Sequence, residues 1–193
     1  MAYTLEEIKK DIITLNANQI YKKYIFDPAI WYFENNKEGF ELMKIAISEN
    51  MKIDPNDITI VGSAKIGYSL SPIKNFKHFN DDSDIDVVIV SKKWFQYFWK
   101  LYRKSYRPEY NFLYKKNIYR ETFLGFIHEE NMDFISGCRK SWRDLTADTK
   151  KYLSSVLFLK HKMNIRLYRN WQDFEDYNIW SINKLKGEIL NAV

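Results

Sequence analysis

Two aspartates, Asp84 and Asp86, stand at the entrance to a run of β-branched aliphatic residues, Val87 to Val90. Such a run is typical of a buried strand. Because side chains alternate between the two faces of a strand, residues two apart project to the same side, and the two carboxylates lie close enough to share a metal ion. Without a cation these like charges would repel each other. The spacing therefore predicts a site for Mg²⁺ or Mn²⁺ with Asp84 and Asp86 as ligands.

A second feature whose residue types are suited to ligand binding is the pair Gly62-Ser63, which follows the short apolar run Ile58 to Val61. A glycine at the end of a strand lets the backbone pass close to a phosphate, and the exposed amides attract negative charge, helped by the positive end of a following helix. Carboxylates on a neighbouring strand then hold Mg²⁺ against the same triphosphate. The pair is therefore predicted to bind the phosphates of a nucleotide.

The order strand, Gly-Ser, helix, then a strand entered through Ser83-Asp84-Ile85-Asp86-Val87 resembles the hallmark of the DNA polymerase β-like nucleotidyltransferase superfamily. The resemblance covers residues 40 to 102, about a third of the chain. It implies an α+β fold with a small mixed sheet and flanking helices. It also implies a metal-dependent transfer of a nucleoside monophosphate from an NTP to a hydroxyl. Small chains that resemble this superfamily occur in toxin–antitoxin and antiphage settings, an analogy of fold that does not settle the substrate.

The resemblance also implies residue roles and leaves the acceptor open. Gly62 and Ser63 match the phosphate-contacting pair, and Asp84 and Asp86 match the metal-binding, catalytic pair. The acceptor is a protein hydroxyl, an RNA end, a small molecule or a second nucleotide. Lys65 and Ser69 are expected on the helix after the Gly-Ser bend. Further candidates for nucleotide binding, which match no strict motif, are Lys65, Ser69, Ser83 and Arg166.

The third carboxylate that this superfamily normally takes from a later strand is not evident. The segment Met163 to Arg169 alternates well enough to be the equivalent strand, and its polar face carries Asn164 and Arg166. Asp133 is the nearest alternative if its own segment joins the sheet. The candidates for a third ligand are therefore Asp133 and Asn164, and Arg166 is expected to contact phosphate or an aspartate. Since a triphosphate supplies further oxygen ligands, nucleotide binding survives the loss of one carboxylate more easily than turnover does.

A basic segment keeps a second function open. Residues 92 to 120 contain nine Lys or Arg and one acidic residue, Glu109, interleaved with aromatics. One interpretation is a nucleic-acid-facing stripe. The favoured interpretation is a helix with its aromatics packed inward and its lysines in solvent. The alternative function is a catalytically silent relative that binds nucleotide or nucleic acid and acts through a partner protein.

The elements that must position these residues are expected to form one domain over residues 1 to 193. The hydrophobic fraction of 46% suffices for one sizeable core. The periodicity predicts N-terminal helices within residues 4–24, a core over about 36–170 and a closing helix over about 173–190. Within the core it predicts a helix over 92–105, a hairpin or two short edge strands at 122–127 and 132–135, and a helix over 142–162.

Composition bounds the cellular setting and the remaining candidate ligands. The net charge of +5 favours phosphate-bearing partners, and the single Cys138 rules out an internal disulfide and fits a reducing compartment. There is no secretion signal and no apolar run near the roughly 20 residues that cross a bilayer, so a cytoplasmic protein without a membrane partner is expected. His78, His128 and His161 lack metal-ligand spacing and are interpreted as surface or packing residues. The loop 71–78 either covers the nucleotide, selects the acceptor or is a plain surface excursion.

Overall fold

The computed structural model describes residues 3–71, 74–105, 115–155 and 160–190. This part of the chain is α+β, with a four-stranded mixed sheet between two groups of helices, which confirms the expected class. No helix within the described ranges is long and apolar enough to cross a membrane.

The sheet has the order β1-β2-β4-β3. The central pair, β2 and β4, is parallel, while β1 pairs antiparallel with β2 and β3 antiparallel with β4. The strands predicted at the Gly-Ser bend, at the aspartates and after Met163 are all present. The bounds are β1 Ile58–Val61, β2 Ile85–Val90, β3 Phe126–His128 and β4 Met163–Tyr168.

The helices follow the apolar periodicity over most of the described chain. Thr4 caps the first helix, its hydroxyl accepting the backbone N–H of Glu7 at 3.2 Å, as the sequence indicates. The helices are α1 Leu5–Thr14, α2 Ala17–Tyr21 with a π-helical turn Lys22–Phe26, a 3₁₀ turn Trp31–Phe33, α3 Lys37–Met51, a 3₁₀ turn Pro55–Asp57, α4 Ser63–Ile66, α5 Lys92–Ser105, α6 Lys115–Phe123, α7 Glu129–Met132, α8 Ser136–Ser155 and α9 Trp171–Leu190.

The sheet separates two hydrophobic cores because residues alternate along each strand. In β2, Ile85, Val87 and Ile89 face a core shared with α3, α5 and α8. Val88 and Val90 face the other core, which α1, α2 and α9 complete. Asp86 projects to the same side as Val88. The predicted site therefore lies on the face of the sheet that the terminal helices cover.

The predictions between residues 115 and 162 are partly wrong. The segment 122–127 is not one strand, because α6 continues to Phe123 and Gly125, at φ +83°, turns the chain before β3 begins. The segment 132–135 is not a strand either, since α7 ends at Met132 and a turn follows. The helix expected over 142–162 begins earlier, at Ser136, and is described as far as Ser155.

A carboxylate extends the hydrogen bonding of the sheet beyond the short strand β3. After β3 ends, the backbone N–H of Ile165 in β4 donates to Glu129 Oε2 at 2.9 Å. The other oxygen of this carboxylate binds the ammonium of Lys150 in α8. Glu129 therefore satisfies a buried strand amide and ties β4 to the helix behind it.

Candidate functional site

The bend after β1 lies directly against Asp86. Gly62 adopts φ +73° and ψ −153°, a conformation essentially restricted to glycine. The register of the sheet pairs Val61 with Asp86, and a Cβ added to Gly62 would lie 2.8 Å from Asp86 Oδ2. Two separate physical reasons therefore favour glycine at this position, namely the backbone conformation and the closeness of the Asp86 carboxylate.

The helix that follows the bend is shorter than expected. α4 has four residues, Ser63–Ile66, and Gly67 ends it in the left-handed conformation at φ +87°. A single turn has little macrodipole, so attraction for phosphate comes mainly from backbone amides of the bend and from nearby cations. Ser69 lies beyond this helix, not on it, and is buried with its hydroxyl accepting the backbone N–H of Ser71 at 3.2 Å.

Lys65 is a buried cation on α4. Its side chain is only 3% exposed, and its ammonium donates to the backbone carbonyl of Asp27. Burial lowers the pKa of Lys65 to about 8, although the negative charge of Asp27 acts in the opposite direction. A buried lysine with a carbonyl as its protein partner is a cation that an anionic ligand would stabilise.

The two aspartates each have a partner on β4. Asn164 Nδ2 donates to Asp84 Oδ2 at 3.0 Å, and Arg166 Nη2 lies 3.6 Å from Asp86 Oδ1. The register places Asn164 opposite Asp86, so β4 is the neighbouring strand that the sequence indicates. These contacts also relieve the repulsion between the carboxylates, which was the sequence argument for a cation. A metal is therefore one of two ways to satisfy these charges.

One cleft brings most of the predicted residues together. It has a volume of about 280 Å³ and lies between the bend, the sheet and α9. Ser71 and Lys74 of the loop 71–78 also line it, and residues 72 and 73 lie outside the described part of the chain. The predicted residues that line the cleft are Gly62, Ser63, Lys65, Ser69, Asp86 and Arg166.

Four predicted residues lie outside the walls of this cleft, namely Ser83, Asp84, Asp133 and Asn164. Asp84 and Asn164 are hydrogen-bonded to each other at 3.0 Å. The hydroxyl of Ser83 accepts the backbone N–H of Asn80 at 3.0 Å, and its carbonyl accepts His161 Nδ1 at 2.8 Å, so it stabilises the turn before β2. Asp133 does not join the sheet. It is exposed and pairs at 3.5 Å with Arg139 and at 3.6 Å with Arg143.

The donor set fits one hard cation better than two. In the described chain no group of three or more His, Cys, Asp or Glu side chains is arranged to hold a metal. Asp84 and Asp86 offer carboxylate oxygens, and the amide of Asn164 adds a neutral oxygen when it rotates. Mg²⁺ keeps waters and substrate oxygens in its shell, so two carboxylates and a nucleotide suffice to bind it.

A second cleft on the same face contains residues that sequence reasoning missed. Its volume is about 520 Å³, and Arg166 and Tyr177 line both clefts. Glu121 and His128 are half-buried in it. The sequence signal for His128 was its position at the end of an apolar strand. Glu121 carried no signal, because only the fold of α6 against β3 brings it to the sheet.

No protein-family model matches the chain, and comparisons with curated proteins and with solved structures give no match.

Replacing Gly62 tests the bend. Gly62→Ala forces a Cβ against Asp86 and a side chain into a glycine conformation, so the free energy of unfolding should fall by about 1–3 kcal/mol. The matched control is Gly137→Ala in α8, where an added Cβ meets open space. This substitution should leave the free energy of unfolding unchanged or raise it by up to about 1 kcal/mol. Urea unfolding measures both. Equal effects of the two variants would contradict the assigned strain.

The burial of Lys65 predicts a pH dependence of stability. Its folded pKa of about 8 lies below the ordinary value of 10.5, so between these values the unfolded chain binds more protons and stability rises with pH. The unfolding free energy of the wild type minus that of Lys65→Met should increase by at most about 3 kcal/mol across this window. Chemical unfolding from neutral to alkaline pH measures it. A flat difference would show that Lys65 is not desolvated.

Proposed function

We propose that this chain is a metal-dependent nucleotidyltransferase of the DNA polymerase β-like type, which moves a nucleoside monophosphate from an NTP to a hydroxyl acceptor. The observation that carries the proposal is the convergence of the Gly62 bend, Lys65, Asp86 and Arg166 in one cleft. The cations Lys65, Lys74 and Arg166 line this cleft together with the carboxylate of Asp86, a mixture of charges that suits a triphosphate with a bound Mg²⁺. The small mixed sheet and the position of Asp84-Ile85-Asp86 at the start of β2 agree with what the resemblance implies.

Arg166 is the cation best suited to meet the triphosphate. Its 3.6 Å separation from Asp86 is longer than a charge-assisted hydrogen bond, so the two groups form a loose ion pair. Arg166 Nε is buried and has no hydrogen-bond partner within the described residues. An unpaired buried donor is costly, and a phosphate oxygen would satisfy it. Ligand binding therefore improves the hydrogen bonding of this side chain.

The remaining roles follow from position. We assign phosphate binding to the Ser63 amide and Lys65. Mg²⁺ would be held by Asp84 and Asp86 and would stabilise the negative charge of the reacting phosphates. In the reaction the acceptor oxygen forms a bond to the α-phosphorus, and the bond from that phosphorus to the bridging oxygen breaks. Pyrophosphate leaves, and the proton of the hydroxyl passes to solvent. Asn164 orients Asp84 through its 3.0 Å hydrogen bond.

Removal of the carboxylates tests the proposal. Wild-type protein with Mg²⁺ and each common NTP should release pyrophosphate, and Asp84→Ala plus Asp86→Ala should reduce the rate by at least about a hundredfold, as expected when groups that stabilise developing charge are lost. The matched control is Asp81→Ala plus Asp82→Ala, which removes the same charge from exposed positions of the same loop. Its rate should stay near that of the wild type. Equal rates for the two double variants would refute the proposal.

The exposed face of α5 supports a second candidate function, nucleic-acid binding. As the favoured interpretation predicts, Phe95, Phe98 and Tyr102 pack inward. Trp99, however, is 37% exposed, and the Arg103 guanidinium stacks 4.7 Å above its ring. The exposed cations are Lys92, Lys93, Lys100, Arg103 and Lys104, and the helix sequence contains no acidic residue. Exposed rings among cations are typical of surfaces that bind single strands.

Charge reversal on α5 tests this second function. A labelled uridine oligomer should bind at low salt with an affinity that falls steeply as salt rises, and Lys100→Glu plus Arg103→Glu should weaken binding at least about tenfold. Lys9→Glu plus Lys10→Glu, at exposed positions of α1 on the other face, is the charge-matched control. Fluorescence anisotropy measures all three proteins. Equal loss in both variants would indicate net charge rather than a surface, and no binding at low salt would exclude the function.

A further inference from the structure

The second cleft differs from the first in the residues that line it. Three acidic side chains, Glu121, Glu130 and Asp133, line it together with the cationic Arg166 that it shares with the first cleft. Its apolar walls are aromatic, provided by Phe126, Phe134 and Tyr177. A volume of about 520 Å³ lies within the range of small-molecule sites. The first cleft suits phosphates, whereas this one suits a ligand of opposite charge.

The acidic groups differ in how they are neutralised. Glu130 lies 3.5 Å from Lys162, and Asp133 pairs with arginines of α8, so both carboxylates have cationic partners at the rim. Glu121 is half-buried and accepts a hydrogen bond from the side-chain amide of Asn131, a neutral donor. Within the described ranges no ion pair to Glu121 is found. It is the carboxylate of the cleft that lacks a partner of opposite charge at contact distance.

Burial raises the pKa of Glu121, and this effect exceeds the opposing influence of its hydrogen bond to Asn131 and of the charges of Arg120 and Arg166. A carboxylate in this state is stabilised by an ammonium group, which supplies the missing charge together with hydrogen-bond donors. The side chain of His128 and the amide of Asn117 line the same cleft and offer hydrogen bonds to hydroxyl groups.

The two clefts meet at one wall. Arg166 and Tyr177 contribute to both, and the register of the sheet places Arg166 opposite His128 on one side and opposite Val88 of β2 on the other. Asp86, Arg166 and His128 therefore lie on neighbouring strands of the same face. A molecule in the second cleft lies one side chain away from a phosphate held by Arg166.

We propose that the second cleft is the acceptor site, and that the acceptor is a small hydroxyl-bearing amine whose ammonium group binds Glu121. This inference rests on the proposed nucleotidyl transfer for the fate of the hydroxyl. The binding of the amine to the cleft does not depend on nucleotidyl transfer, because it follows from the charge and the walls of the cleft. Glu121, the lining carboxylate without an ion-pair partner in the described chain, disfavours an acceptor that brings a phosphate next to it, because like charges would meet there.

Three matched sugars test the assignment in the absence of nucleotide. Glucosamine, glucose and glucose 6-phosphate share a ring but differ in charge, and ligand-observed NMR titration ranks their binding to the full chain. Glucosamine should bind at least about tenfold more tightly than glucose, the usual effect of one charge-assisted hydrogen bond. Glucose 6-phosphate should bind least well. Equal binding of glucosamine and glucose, absence of glucosamine binding, or preference for the phosphate would overturn the inference.

Variants locate the binding. Glu121→Gln should remove the preference for glucosamine over glucose, and Glu130→Gln, at an exposed rim position, should weaken it by a smaller factor without disturbing the fold. Glu38→Gln, exposed on α3 at the other face of the sheet, is the matched control and should leave the preference unchanged. A preference that persists in both cleft variants would place the amine elsewhere and overturn the assignment.

The two proposals fail in different experiments. If glucosamine binds as expected but no NTP releases pyrophosphate, nucleotidyl transfer is wrong and the cleft remains an amine site. If pyrophosphate release depends on Asp84 and Asp86 but glucosamine shows no preference over glucose, transfer stands and the acceptor assignment is wrong. When both hold, glucosamine should also raise the rate of pyrophosphate release, and glucose should not at equal concentration.

Discussion

The parallel pairing of β2 with β4 is the constraint on which both clefts depend. Its register sets Asn164 beside Asp86 and Arg166 beside Val88, and so fixes which polar side chains meet on the face under the terminal helices. A shift by one residue would turn Arg166 into the opposite core and bring Ile165 to the cleft. The apolar residues of the other face oppose such a shift, since Val87 and Ile165 are buried there as partners. The hydrophobic pattern therefore specifies the polar site indirectly.

The sequence predicted what depends on local pattern and missed what depends on assembly. Aliphatic runs located β1, β2 and β4, and alternation identified Asn164 and Arg166 as the polar face of β4. Both were predictable because burial that alternates every second residue is visible in the sequence of a strand. The segment around Asp133 was misread as a strand, since its short apolar runs fit strand and helix equally. The role of Glu121 as a cleft residue could not be predicted from the sequence, because its burial arises only when α6 packs beside β3. Local periodicity fixes elements, while the environment of a charge is fixed by elements distant in sequence.

Charged side chains on this face are held at an energetic cost. Lys65 is buried with a carbonyl as its protein partner, Arg166 has a buried Nε without one in the described chain, and Glu121 accepts a hydrogen bond from a neutral amide. Each arrangement is less favourable than a direct ion pair or an apolar residue of similar volume. Unfavourable burial of this kind is concentrated where a ligand supplies the missing partner. The three groups lie around two adjoining clefts, which points to two ligands of opposite charge.

The shared wall gives a physical reason for binding both ligands together. Arg166 lines both clefts. Under the two proposals, an anion in the first cleft and an ammonium in the second both improve the charge balance around its guanidinium. A phosphate that draws Arg166 toward it leaves the Glu121 cleft more negative, and that cleft then holds an amine more strongly. By linkage, the amine strengthens nucleotide binding by the same factor. On these two proposals, a single side chain on β4 couples the two sites.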